Sequence, residues 1–165
     1  MVGIFEKEDN FIKILECSSK GDKRFSAFYA KVKIYNRYDS IENHYQLCKR
    51  FGDIIPKTWR DAKGKKPSHI NIDGKDYDVK YLSMFYKLLW VKYLNNNPNL
   101  IEYAKQYDEF NDIFKGKNSL NCQADVIRQY IKEGKQSILN ECAELIAMLK
   151  TDNKNKKENI ILWKT

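Results

Sequence analysis

The sequence predicts a helix-dominated α+β fold in a single domain, and three observations carry that expectation. Apolar residues recur at helical spacing through much of the second half of the chain. Short stretches of alternating apolar and polar residues, one pair joined by Asp73-Gly74, occupy the first half. No repeat and no Gly/Pro-rich linker divides the 165 residues, a length that suits one domain with a substantial core.

The elements follow in order. Residues 11–17 (FIKILEC) and 31–38 (KVKIYNRY) alternate as short strands do. Residues 69–80 read as a hairpin, HINI and DYDV turning at Asp73-Gly74. Ser40 is placed to cap a helix over IENHYQLCKRF, with Ile41, Tyr45 and Cys48 as its core-facing residues. Tyr81, Met84, Phe85, Leu88, Leu89 and Lys92 mark a second helix, and Pro98 starts a third near Leu100. Leu120, Ala124, Ile127 and Ile131 form a helical stripe that Gly134 stops. Ile138, Cys142, Leu145, Ile146 and Leu149 form a last amphipathic helix. The pattern dissolves after Lys150, so the expected domain spans residues 1–150 and residues 151–165 form a polar, flexible tail.

Composition excludes several classes. The apolar share of 42%, with eight Phe and eleven Tyr, is too high for a disordered chain. No apolar run approaches the ~18 residues of a membrane span, and residues 1–10 lack the apolar stretch of a signal peptide. Cys17, Cys48, Cys122 and Cys142 are scattered, without a CxxC pair, and His44 and His69 are the only histidines. That spacing predicts free thiols in a reducing cytoplasm, no metal site and no cofactor. The abundance of Lys and Asn fits an AT-rich coding source such as a low-GC bacterium or a phage.

The charge is concentrated. Of the formal net +8, half lies in residues 57–66 (KTWRDAKGKK), where five basic residues face Asp61 alone. Such a loop is either solvated or turned toward the phosphates of a nucleotide or nucleic acid. Three further groupings are able to carry chemistry. Glu42, Gln46 and Lys49 fall at i, i+4 and i+7, one helical row that could hold sugar hydroxyls and run acid/base chemistry. Residues 112–119 (DIFKGKNS) lead into the Leu120 helix, with Asn118 or Ser119 as N-cap and Gly116 permitting close backbone approach to a phosphate. Arg128 lies nearly three turns further along. The aromatic block Phe25-Ser26-Ala27-Phe28-Tyr29 is either core or a platform for a base.

The order and spacing of these groupings resemble the NADAR (NAD- and ADP-ribose-associated, YbiA-like) family. Its F-x-S-N-F-Y and S-x-E-H-x-Y-Q-x-x-K motifs are similar to residues 25–29 and to Ser40-Ile41-Glu42-Asn43-His44-Tyr45-Gln46-Leu47-Cys48-Lys49. A basic A-K-x-G-R-like segment is matched by Ala62-Lys63-Gly64-Lys65, and K-F-x-Q-N-P by Lys92 through Pro98 with one extra residue. D-x-x-W-G resembles Asp112 to Gly116, and N-x-L-G-x-x-L-M-x-x-R resembles Asn118 through Arg128. The resemblance spans about residues 24–150. The chain departs from the pattern at Ala27 (Asn in the family), Asn43 (His, with His44 one place late), Lys115 (Trp) and Asn121 (Gly), which marks a divergent branch.

The resemblance implies an N-glycosidase acting on a nucleotide-like ribose. Members are linked to removal of ADP-ribose from guanine in nucleic acid and to cleavage of a ribosylamino-pyrimidine phosphate in riboflavin synthesis. It assigns Glu42 as the carboxylate that meets the oxocarbenium charge and orients water, and Asp112 as a second acid/base or ribose partner. Its ligand-binding set is Phe25, Ser26, Phe28, Tyr45, Gln46, Lys49, Lys63, Lys65, Phe114, Gly116, Asn118 and Arg128. The partners it implies are an ADP-ribose- or nucleotide-like ligand and ADP-ribosylated nucleic acid, with no membrane. Two other classes fit the same residues: a non-catalytic binder of a nucleotide signal, as in phage counter-defence, and a nucleic-acid-binding module without chemistry.

Overall fold

The computed structural model describes residues 2–7, 10–115 and 122–152, and side chains within 11–115 and 122–151. In chain order the elements are β1 (Val2–Lys7), β2 (Asn10–Glu16), β3 (Lys31–Ile34), β4 (Arg37–Ser40), α1 (Ile41–Leu47), β5 (Lys49–Arg50), α2 (Trp59–Ala62) and β6 (His69–Ile72). They continue with β7 (Lys75–Asp78), α3 (Leu82–Asn95), α4 (Pro98–Ala104), β8 (Glu109–Asn111), α5 (Gln123–Glu133), α6 (Lys135–Glu141) and α7 (Ala143–Asp152). Three small sheets flank the helices: β1-β2-β8, β3-β4 and β5-β6-β7. This is an α+β domain, and no helix among the described residues is long and apolar enough to cross a membrane.

The core is organised around α3. Leu82, Phe85, Tyr86, Leu88, Leu89, Trp90, Val91, Tyr93 and Leu94 are all buried. A helix apolar on every side must be enclosed, and α1, α4, α5, α6 and β3 pack around it. Leu15, Phe25, Ile41, Ile70, Phe110, Ile127, Ile138 and Leu145, from the elements around it, are among the largest fully buried side chains.

Several local expectations require correction. Residues 31–38 are not one strand but the hairpin β3–β4. Tyr35 and Asn36 both adopt positive φ (47° and 67°), the backbone that a tight two-residue hairpin turn demands. Asp73 and Gly74 do the same between β6 and β7 (51° and 87°). The helix capped by Ser40, whose Oγ accepts the Asn43 N–H at 3.0 Å, ends at Leu47 rather than running to residue 51. There the Arg50 guanidinium donates to the Leu47 and Lys49 carbonyls at 2.8 and 2.9 Å, and the Cys48 carbonyl accepts the Asn71 N–H at 2.7 Å. Sheet bonds thus replace helical ones, and Lys49 lies on β5. The last amphipathic stretch is two helices, broken where Cys142 leaves helical angles (φ −96°, ψ 10°).

The strands β1 and β8 were not expected, and the basic segment contains the short helix α2. Pro98 does open α4, and Gly134 at φ 91° does end α5. Leu120, expected to begin α5, lies outside the described residues, as do residues 153–165 of the tail. All four cysteines are free and buried.

Candidate active site

The site is assembled from three chain segments tied together by backbone bonds. The first is the turn after Phe25. Its Ala27 carbonyl accepts the Glu42 N–H at 2.9 Å and its Ala30 carbonyl accepts the Ile41 N–H at 2.9 Å, so the first turn of α1 is fixed against it. The second is β8 and the residues after it. β2 pairs with β8 in parallel, Glu16 opposite Asn111, and this brings Asp112 beside the turn. The third is the start of α5. The Gln123 amide joins the other two, donating to Asp112 Oδ2 at 3.0 Å and accepting the Ala27 N–H at 2.6 Å.

These segments enclose an open cleft of about 360 Å³, lined by Ser19, Ala27, Phe28, Glu42, Lys63, Tyr86, Asp112, Phe114, Lys115, Cys122 and Gln123. Glu42 is buried. Its Oε2 accepts the Gln46 amide at 3.2 Å and stands 3.5 Å from Lys63 Nζ. Asp112 uses Oδ1 to accept the Phe114 N–H at 2.9 Å, which fixes the turn that presents the Phe114 ring. Phe28 and Phe114 remain 39% and 58% exposed, so two aromatic faces are open to a ligand. Burial pushes the Tyr86 hydroxyl and the Cys122 thiol upward in pKa, and both line the cleft as uncharged groups at neutral pH. Among the described residues no three His, Cys, Asp or Glu side chains are grouped to hold a metal ion.

The basic segment enters the site through Lys63. Buried Lys49 donates Nζ to the carbonyls of Ala62 and Lys65 at 3.3 and 3.4 Å, holding the backbone on either side of Lys63. Burial also lowers the Lys49 pKa. Asp61 accepts the N–H groups of Lys57 and Thr58 at 3.0 and 3.1 Å, closing the first turn of α2.

The residues named from sequence therefore separate. Glu42, Phe28, Lys63, Asp112 and Phe114 share the cleft, with Gln46 against Glu42. Phe25 is a core residue, fully buried and stacked on Tyr103 at 6.2 Å, and does not line the cleft. Arg128 is consumed in structure: it donates to Glu109 at 2.6 Å, to Asp125 at 2.8 Å and to the Phe110 carbonyl, clamping β8 to α5. Tyr45 packs edge-on against Tyr86 at 4.8 Å, Ser26 is fully buried, and the Lys65 side chain is exposed on the basic segment. Gly116 and Asn118 lie outside the described residues.

Sequence reasoning missed Gln123 and Glu16. Glu16 is buried, accepting the Asn111 amide at 2.6 Å and the Ile113 N–H at 3.0 Å, and it braces the segment that carries Asp112. A carboxylate following the apolar pair Ile14-Leu15 at the end of the strand was the available signal.

The sequence matches, over residues 3–159, the family described as DarT1-associated NADAR antitoxin. No curated protein matches the chain. With nearly its whole length covered by that match, the chain belongs to the DarT1-associated NADAR antitoxin family.

Proposed function

We propose that this chain is an ADP-ribosyl hydrolase that cleaves the N-glycosidic bond between ADP-ribose and a nucleic-acid base, undoing the modification made by a DarT1 toxin. The observation that carries the reading is the buried Glu42 carboxylate in a cleft that also presents two open aromatic faces and the cations Lys63 and Lys115. The family's description as a toxin-associated antitoxin agrees with it.

The chemistry follows from the charges. As the ribose C1–N bond breaks, positive charge develops on the ribose, and a desolvated carboxylate opposes it more strongly than one in water. Glu42 supplies that charge and orients the water whose oxygen replaces the base at C1. Asp112 holds a ribose hydroxyl or relays a proton of that water to the departing base nitrogen, so that the water ends as the C1 hydroxyl and the N–H of the base. Phe28 and Phe114 stack on the base, while Lys63 faces the diphosphate; Lys115, held 2.8 Å from Asp125, lies at the edge of the same cleft.

The test is incubation with an oligonucleotide carrying ADP-ribose on a base, with products read by mass spectrometry. Release of free ADP-ribose and the unmodified oligonucleotide is the expected result. Tight binding of the substrate without either product would overturn the reading in favour of a nucleotide-binding protein that does not cleave.

A further inference from the structure

We propose that the face formed by residues 54–66 is a second binding surface, a platform for the strand flanking the modified base, and that it also binds unmodified single-stranded nucleic acid. For the identity of the ligand in the adjoining cleft it rests on the hydrolase reading. The strand-binding activity is separate from that reading.

Three observations on this face point to a polynucleotide. The first is a continuous run of cations and rings leading out of the cleft. Lys63 Nζ lies 5.3 Å from the Phe28 ring centre, Phe28 meets Trp59 edge-on at 5.2 Å, and the Arg60 guanidinium stands 4.5 Å from the Trp59 ring centre. Phe28 and Lys63 are cleft residues, so the run begins where the base would sit and continues along α2.

The second is the state of the charges. Arg24, Arg37 and Arg128, elsewhere on the molecule, are each matched by a carboxylate. On this face Lys57, Arg60, Lys65 and Lys66 are exposed, and among the described residues none forms an ion pair. The single acid in residues 54–66, Asp61, directs Oδ2 to the N–H groups of Lys57 and Thr58, and one carboxylate stands against five cations. Unpaired cations at this density attract a polyanion and release its counterions on contact.

The third is apolar. Ile54, which closes the turn begun at Phe51, and Ile55 after it precede α2 and are 68% and 63% exposed. Exposed aliphatic and aromatic surface between cations suits unstacked bases, whose faces are apolar and whose phosphates are not. In a duplex those base faces are covered, so the platform favours single strands.

The probe is a fluorescent, unmodified single-stranded oligonucleotide of about a dozen nucleotides, long enough to cross one such site, read by anisotropy. The wild-type chain is expected to bind it with an affinity that falls steeply as salt rises, and to bind the matching duplex more weakly. Trp59→Ala is expected to weaken binding about tenfold, the scale of one lost base stack, with Trp59→Phe recovering most of it. Lys57→Glu combined with Lys66→Glu, both exposed positions that leave packing intact, should weaken binding further and flatten the salt dependence.

Equal affinity for duplex and single strand, or unchanged affinity in both the Trp59 and the lysine variants, would overturn the proposal. So would binding of anionic phosphatidylserine vesicles in preference to the oligonucleotide. Glu42→Gln separates the two readings: it should retain anisotropy binding of the unmodified strand. Loss of ADP-ribose release with strand binding intact speaks only to the hydrolase site. Loss of strand binding in wild type with ADP-ribose release intact overturns the platform alone.

Discussion

Lys63 Nζ stands 3.5 Å from Glu42 Oε2, a half-exposed ammonium set against a buried carboxylate. The loop bearing Lys63 is held by Lys49, and the helix bearing Glu42 is held by the turn after Phe25, so the pair is fixed from both sides. On the proposed reading a ligand diphosphate competes with Glu42 for the same ammonium. Lys63→Ala is therefore expected to raise KM for an ADP-ribosylated substrate by about tenfold at low salt, a difference that narrows as ionic strength rises. Steady-state kinetics at two salt concentrations check it, and a salt-independent effect would assign Lys63 to packing against Phe28 instead.

Glu42→Gln keeps the shape and most of the hydrogen-bonding reach of the side chain while removing its charge. Turnover should fall by about 10² or more with little change in substrate affinity. Single-turnover release of ADP-ribose, paired with a binding measurement, separates the two quantities. Undiminished turnover would move the chemistry to Asp112.

Glu16 is expected to govern the Asp112 segment without touching the ligand. Glu16→Ala leaves the Asn111 amide and the Ile113 N–H without their acceptor, and should cost about 3 kcal/mol in urea unfolding. Gly21→Ala should act on the same place, because an added Cβ would lie 2.3 Å from the Glu16 carbonyl oxygen and 2.4 Å from its Cγ. Near-wild-type stability in both variants would show that the strand end adjusts without them.

His44 gives a pH signature. Its Nε2–H donates to the Val32 carbonyl at 2.8 Å, and burial, with the nearby Arg37 charge, holds its pKa below the ordinary 6.5. The unfolded chain takes up this proton at about its ordinary value and the folded chain only at lower pH. The stability this contributes is present above pH 6.5 and is lost as pH falls toward the folded pKa, by up to about 1.4 kcal/mol per pH unit. Urea unfolding at pH 7.5 and 5.5 should show the loss in wild type and a smaller one in His44→Gln.

The tail is expected to be dispensable. The apolar stripe of the last helix ends at Leu149, which is fully buried, so a chain ending at Asp152 retains the whole stripe. Its melting temperature should match that of the full chain. A fall beyond about 5 °C, on the order of 1 kcal/mol, would show residues 160–163 packing on the body.

What the sequence disclosed depended on how local each signal was. The Ser40 cap, the Asp73-Gly74 turn, Pro98 and Gly134 act within a few residues and are legible one at a time. Glu42 was legible because its row with Gln46 is set by the helical repeat alone. Lys49 was assigned to the same row, but it is Asn71, more than twenty positions away, that captures the backbone and turns it into a strand. Tyr35-Asn36 was missed as a turn because tyrosine rarely takes positive φ. Glu16 was missed because its partner Asn111 is 95 positions distant, and Gln123 because what it joins to nearby Asp112 is Ala27, 96 positions away. Phe25 and Arg128 look like ligand residues in one dimension, and packing alone makes one core and the other a clamp.

The parallel pairing of β2 with β8 also sets an order of assembly. Glu16 and Asn111 are 95 positions apart, and closing a loop of that length costs about 4 kcal/mol in chain entropy before any contact repays it. During synthesis a nascent chain shorter than 111 residues carries Glu42 and can pair β2 with β1, but it lacks β8, the strand that brings Asp112 to the cleft. Contacts this remote slow folding, and the cleft cannot be complete before β8 and Gln123 are in place. The cleft is therefore completed only after β8 has been translated, and that delay is written into the topology rather than into any residue of the site.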